Sequence, residues 1–280
     1  MTMQIPLVDN SPDGKRIALG VAYMGQRFHG WQSQSNGRTV QDELEKALTT
    51  FAACEVRTMC AGRTDTGVHG LNQVVHLDAP VERDPFSWVR GTNTFLPADI
   101  AVQWCQPVPA DFHARNHARG RRYTYLLLES PVRPAIESGQ AGWCFRPLDQ
   151  IRMEAAAATL IGTHDFSAFR SSECQALSPI KELREISIRR CGAYWRFEFE
   201  ASAFLHHMVR NLMGCLVAVG SGIRPPQWLA EVLASRDRKL AAPTFPAAGL
   251  YFMGPRYDAE LGLPSRTAAF DWLPGGLERS

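Results

Sequence analysis

The sequence predicts an α+β fold built on a mixed or antiparallel sheet, and two patterns carry that expectation. Strand-like runs arrive next to one another, 55–62 before 72–80 and 180–190 before 194–202, with helical segments between the pairs. In the last of these runs Trp195, Phe197 and Phe199 alternate with Arg196, Glu198 and Glu200, the period of a sheet with one buried and one wet face. A chain of 280 residues suits one large domain or two fused halves, since domains run to roughly 100–200 residues.

In chain order, 15–25 is β-branched and aromatic and ends at Gly25, so it reads as a strand. Segment 39–53 reads as a helix in which Thr39 caps and Asp42 completes a capping-box pattern. Val40, Leu44, Ala47, Leu48 and Phe51 share one of its faces. The runs 55–62 and 72–80 flank a polar, glycine-rich loop. Segment 84–97 reads as a helix with Pro85 at its start, and 100–108 as a strand. A long strand follows at 121–129, with Tyr123 and Tyr125 on one face. The second half then resembles the first in its order of elements. Helices are expected at 148–162, 204–222 and 225–237, around the paired strands 180–190 and 194–202. The expected organisation is an N-terminal α/β half at 15–112, a C-terminal half at 113–256 and a docked or mobile tail at 257–280.

Hydrophobic residues make up 45% and charged residues 21%, the balance of an ordinary folded protein. The net charge of +2 makes a weak case for a polyanionic partner, yet 26 of the 30 basic residues are Arg. Arg suits bidentate contact with phosphate, although an Arg-rich genome accounts for the count equally well. The seven Cys are widely spaced and include no CxxC pair, which fits reduced thiols in a cytoplasmic protein. The first fifteen residues lack the basic flank and apolar run of a signal peptide. No stretch approaches the roughly 20 apolar residues of a membrane span, so no membrane partner is expected.

Several chemistries are disfavoured. "HARNH" offers His113 and His117 at helical spacing, but Ala114 stands where the zinc motif carries Glu, and no metal is expected. No P-loop, dinucleotide fingerprint or GxSxG occurs, and no cysteine has an evident activating partner. Two segments stand out instead. "HARNHARGRR" (113–122) holds Arg115, Arg119, Arg121 and Arg122 with two His and no acid before Glu129. With Tyr123 and Tyr125 next to it, it combines positive charge with aromatic faces, as RNA-gripping surfaces do; a solvated basic strand edge would read the same. "AGRTDTGVHG" (61–70) places Asp65 among Arg63, Thr64 and Thr66, where a carboxylate could cap a turn, hold a metal or act as a nucleophile. Arg210, in "FLHHMVRNLMG", is a cation on an apolar helix face that needs a buried acceptor or a ligand.

Taken together, "IALGVAYMGQRFHGWQSQ", "TVQDELEKAL", "CAGRTDTGVHGLNQVVH", "NTFLPADIAV", "DFHARNHARGRRYTY", "GTHDFSAFRS", "FLHHMVRN" and "GLYF" closely resemble, in order, the TruA family of tRNA pseudouridine synthases. The resemblance implies the pseudouridine synthase fold, two similar α/β halves with joined sheets and a basic central cleft. It implies a cofactor-free isomerase that acts as a homodimer on uridines 38, 39 and 40 of the tRNA anticodon stem-loop. It makes Asp65 the nucleophile, Arg63 the residue that opens the site and places the flipped base, Tyr123 the stacking partner of the uracil and Arg210 the cation paired with the carboxylate. Arg115, Arg119, Arg121 and Arg122 are expected to bind tRNA. Three residues depart from the family's usual ones: Thr66 for Ala, Asn116 for Phe and Phe245 for a small residue. A non-catalytic tRNA-binding or chaperone protein and a metal-dependent RNA hydrolase are the competing readings.

Overall fold

The computed structural model describes residues 15–35 and 37–264. The chain divides into two compact units: of the described residues, 15–119 and 252–264 form the first and 120–251 the second. The sequence puts the boundary after residue 112, whereas 113–119 remains with the first unit. Ala114 is buried in a cluster with Phe112, Ala18 and Val74, and its N–H donates to His76 Nδ1 at 3.2 Å.

In the first unit, strands Arg16–Tyr23 (β1), Met59–Cys60 (β2), His69–Asp78 (β3) and Ile100–Pro107 (β4) accompany helices Val40–Ala52 (α1) and Pro85–Phe95 (α2). The order β4-β1-β3 is antiparallel throughout, with Leu19 opposite both Val75 and Cys105. Thr39 caps α1 as its spacing predicts: its Oγ1 accepts the Asp42 N–H at 3.2 Å and donates to Asp42 Oδ2 at 2.5 Å. This cap fixes the helix start so that Val40, Leu44 and Leu48 enter a core with Leu19, Val21, Trp31 and Trp88. Asp84 caps α2 by accepting the Phe86 N–H at 2.9 Å, with Pro85 in the first turn.

The strand expected at 55–62 shrinks to two residues. The buried Glu45 carboxylate of α1 accepts both the N–H and the hydroxyl of Thr58, at 2.8 and 2.9 Å, and so binds that backbone to the helix. The expected tail is docked as far as it is described: Tyr257, Leu261 and Leu263 pack on the Phe112 cluster, and the Tyr257 hydroxyl donates to the Ala114 carbonyl at 2.5 Å. Residues 265–280 lie outside the described residues.

The second unit carries strands Gly120–Glu129 (β5), Gly142–Cys144 (β6), Gly162–Asp165 (β7), Ile180–Cys191 (β8) and Tyr194–Ala201 (β9). Its helices are Gln150–Ala158 (α3), Met208–Gly220 (α4) and Trp228–Ser235 (α5). The order β5-β9-β8-β7 is antiparallel, and β6 joins β5 in parallel, so the sheet is mixed as expected. Trp195, Phe197 and Phe199 are buried, as the alternation predicts. The opposite face departs from prediction at Arg196, which is only 4% exposed and pairs with Glu198 at 3.0 Å. Tyr123 and Tyr125 do share a side of β5, but Tyr125 is wholly buried whereas Tyr123 is half-buried. A last strand, Leu250–Arg256 (β10), begins in the second unit and ends in the first.

Candidate active site

Asp65 sits in the loop between β2 and β3, and that loop is a turn. The Val68 N–H donates to the Asp65 carbonyl at 3.1 Å, and Gly67 between them has φ +81°. A left-handed third residue is what such a turn needs, and glycine supplies it without steric cost. The loop is also clamped before the turn. Tyr23 and Thr64 hydroxyls meet at 2.8 Å in a buried hydrogen bond, and the Trp31 N–H donates to the Thr64 carbonyl at 3.0 Å. Gln73, fully buried on β3, accepts the Gly62 N–H at 3.3 Å and donates its amide to the Gly62 carbonyl. His69 accepts the Gly25 N–H on Nδ1 at 3.1 Å, which ties the start of the loop 25–34 to β3.

Gly30 allows a further close approach. Its φ is +83°, and a Cβ there would lie 2.7 Å from the Thr64 carbonyl oxygen and 3.2 Å from the Asp65 carbonyl carbon. Only a residue without a side chain lets the two loops touch backbone to backbone at this point. The result is a half-buried carboxylate on a rigid main chain, flanked by exposed Arg63 and Thr66. Rigid placement of a reactive group is what catalysis requires of its scaffold.

The basic segment is shared between the units. Arg115 and Asn116 are exposed in the first, and the ring nitrogens of "HARNH" are used in folding it. His113 Nδ1 accepts the Arg115 N–H at 3.2 Å and the Asn116 N–H at 3.3 Å, and His117 Nδ1 accepts the His113 N–H at 2.8 Å. His76 stands against His113, ring centroids 4.8 Å apart. Burial, reinforced by the nearby His113 and Arg16, pushes its pKa down to about 4. Arg119 donates to both oxygens of Asp258: from Nε to Oδ1 at 3.1 Å, and from Nε and Nη2 to Oδ2 at 3.0 and 2.8 Å.

In the second unit, Arg121 donates to the Ser202 carbonyl at 3.2 Å, and Arg122 stands opposite Glu200 in the register of β5 and β9. Tyr123 meets Phe204 edge to face, centroids 5.1 Å apart. Arg210 on α4 has a main-chain acceptor: its Nε donates to the Phe245 carbonyl at 2.9 Å, and the Phe245 N–H donates back to the Arg210 carbonyl at 3.1 Å. The aromatic ring at position 245 packs on Tyr125, centroids 5.7 Å apart. Burial pushes Cys60 and Cys215 up to about 11 and Cys105 up to about 12, so these thiols are inert. Cys174 differs, for the expected absence of activating partners does not hold there. Burial raises its pKa, but N–H donors at Ala176 and His206 and the nearby Arg170 outweigh that and lower it.

A family model described as tRNA pseudouridine synthase matches residues 20–116 and 156–258. The chain belongs to the tRNA pseudouridine synthase family. It is 73% identical over 259 residues to the tRNA pseudouridine synthase A of Methylibium petroleiphilum, and 63% identical over 259 residues to that of Albidiferax ferrireducens. Both matches cover 92% of this chain and the whole of the relative. Among solved structures, a Cbf5-Nop10-Gar1 complex is alike at TM-score 0.37 and 11% identity, over 84% of this chain and 48% of that one, too distant to inform the fold.

The family resemblance accounts for Asp65 and Arg63 but not for what holds this pseudouridine synthase loop in place. Tyr23, Gly30, His69 and Gln73 went unnoticed because each reads in the sequence as an ordinary strand or turn residue. A hint was present in "GQRFHG": two glycines closely spaced after a strand mark a backbone that must approach something.

Proposed function

We propose that this chain isomerises uridine to pseudouridine in the anticodon stem-loop of tRNA, at positions 38, 39 and 40, with Asp65 as nucleophile. The bond from ribose to the uracil nitrogen breaks, the base turns, the ribose rejoins at a ring carbon, and that carbon gives up its proton to solvent while the freed nitrogen takes one up. A carboxylate suits this chemistry because it attacks the sugar carbon or stabilises the cation developing there. Arg210 holds Asp65 ionised, Arg63 places the extruded base, and Tyr123 stacks on it. Stacking returns about 1–3 kcal/mol of an extrusion cost of a few kcal/mol. Arg115, Arg119, Arg121 and Arg122 contact the tRNA backbone. The enzyme acts as a homodimer in the cytoplasm and needs no cofactor.

The observation that favours this reading over a tRNA-binding chaperone is the turn that presents Asp65, clamped at Gly62, Thr64 and Asp65 itself. A scaffold that only binds RNA has no use for a carboxylate so rigidly set in an anionic partner's path. The test is tritium release from uracil-labelled tRNA, with and without chelator, followed by mapping of the modified positions. Release that is unaffected by chelator and mapped to 38–40 is expected; no release supports the chaperone, and release abolished by chelator overturns the cofactor-free mechanism. The mass of the chain in solution tests the dimer.

A further inference from the structure

Within the second unit, a cavity of about 510 Å³ is lined by residues that include Arg170, Ser171, Ser172, His207, Asn211 and Arg238. Its lining is basic or neutral, and no carboxylate takes part. Among the described residues neither Arg170 nor Arg238 forms an ion pair; Asp165, close in sequence to Arg170, is engaged with Arg236 at 3.4 Å.

The two guanidinium groups are held differently. Arg238 donates through Nη1 to the carbonyls of Ala241 and Ala242, and through Nη2 to Asn211 Oδ1 at 3.1 Å and Thr244 Oγ1 at 3.0 Å. It is therefore a brace between α4 and the 241–244 loop. Arg170 uses Nη2 on the carbonyls of Cys174 at 2.6 Å and Ala176 at 3.0 Å. The guanidinium also lies against the Cys174 thiol, whose pKa it lowers, but no carboxylate of the described residues pairs with it, so a half-buried group with five N–H donors keeps its positive charge.

The surroundings are fixed as a binding site requires. Asn211 donates to the Phe169 carbonyl at 2.8 Å and accepts from Thr244 at 2.7 Å, so α4, the 167–172 segment and the 241–244 loop are bolted together. The Ser171 N–H donates to the His206 carbonyl at 3.0 Å. His207, with φ +62°, is the residue from which the thirteen-residue helix α4 starts, so the positive end of that helix borders the cavity.

We propose that this cavity is a phosphate-binding subsite, with Arg170 as its principal donor, and that it takes a backbone phosphate of the RNA substrate. The inference rests on the reading of tRNA as substrate. A guanidinium that lines the cavity without a carboxylate partner suits the oxygens of one phosphate, and serine hydroxyls add neutral donors. Arg170, Ser171 and Ser172 fall in "FSAFRSS", a stretch that composition alone does not mark as basic.

The experiment measures tRNA affinity of the full chain across a salt series for Arg170→Ala, Ser172→Asp and Ser138→Asp. Ser172 is an exposed lining residue, so Ser172→Asp puts a carboxylate in the cavity while leaving the carbonyl contacts of Arg170 intact; Ser138 is an exposed serine elsewhere in the unit. Arg170→Ala and Ser172→Asp are each expected to weaken binding about tenfold, alike for different tRNAs, and to reduce the salt slope by about one. Ser138→Asp leaves both unchanged. Wild-type affinity and slope in Ser172→Asp overturn the proposal, even where Arg170→Ala weakens binding or fails to fold, because Arg170 then only anchors 174–176. Inorganic phosphate that competes with tRNA supports it; phosphate that binds without competing marks a free-anion site and overturns it. Failure of the substrate reading shows separately, as wild-type protein that forms no pseudouridine or binds tRNA no better than a random RNA.

Discussion

Arg119 and Arg170 carry the same guanidinium in different units, and their partners differ in kind. Arg119 lies in a run of four arginines and two histidines that announces itself in the sequence, yet it donates to both oxygens of Asp258. The histidines of that run accept backbone N–H groups and serve the local fold. Arg170 stands alone in sequence, holds main-chain carbonyls and the Cys174 thiol, and has no carboxylate partner among the described residues. Counting basic residues therefore measures something other than the charge offered to a polyanion; what decides is whether a carboxylate lies within reach.

The contrast can be broken or sharpened by substitution. The largest effect is expected where charge is negative: Asp65→Asn should lower pseudouridine formation at least about a thousandfold while tRNA affinity and salt slope stay put, measured by tritium release beside a binding isotherm. Gly30→Ala should come next. Its Cβ meets the Thr64 carbonyl at a left-handed φ, so a loss of about 2 kcal/mol in stability and a turnover drop of about a hundredfold are expected from a denaturant titration and the same assay. Arg170→Ala follows, with its tenfold loss of affinity and its flattened salt slope. Arg119→Ala, whose backbone contact is offset by the Asp258 carboxylate, should weaken tRNA binding only about threefold, and a larger effect than that of Arg170→Ala would reverse the comparison drawn above.

The smallest effect concerns His76, whose pKa is depressed from 6.5 to about 4. The unfolded chain takes up a proton on this ring below about pH 6.5 and the folded one does so only near pH 4, so stability is full above that window and is lost as pH falls through it. His76→Asn, which keeps an acceptor for the Ala114 N–H, should flatten the pH dependence of stability between pH 4 and 6.5. Unaltered dependence in the variant would assign the effect to another group.

Much of the fold was legible because it rests on local chemistry. Thr39, Asp84 and Asp149 cap their helices through side-chain acceptors that a sequence displays directly, and the aromatic alternation at 195–199 marks the buried face of β9. What failed depended on distant partners. Segment 55–58 has the composition of a strand, but Glu45 claims Thr58; Arg196 has the position of a wet residue, but it is buried against Glu198. Strands β7 and β10 went unread because "GTHD" is too short to show a period and "LYFMGPR" includes Gly and Pro. The candidate site divides in the same way. Asp65 and Arg63 are visible in a motif, while Tyr23, Gly30 and Gln73 act through space on backbone groups, and Arg170 stands out only once its missing counter-ion is known.

The path of β10 also has a consequence for the order in which the protein is made. The cluster around Phe112 and Ala114 belongs to the unit synthesised first, yet Tyr257, Leu261 and Leu263, which cover it, are among the last described residues to leave the ribosome. The early unit thus waits, with an apolar face bare, for a segment made after the whole of the later one. A nascent chain halted near residue 250 would present that face to chaperones and proteases, so successful folding of the first half is registered only when the second half has been translated.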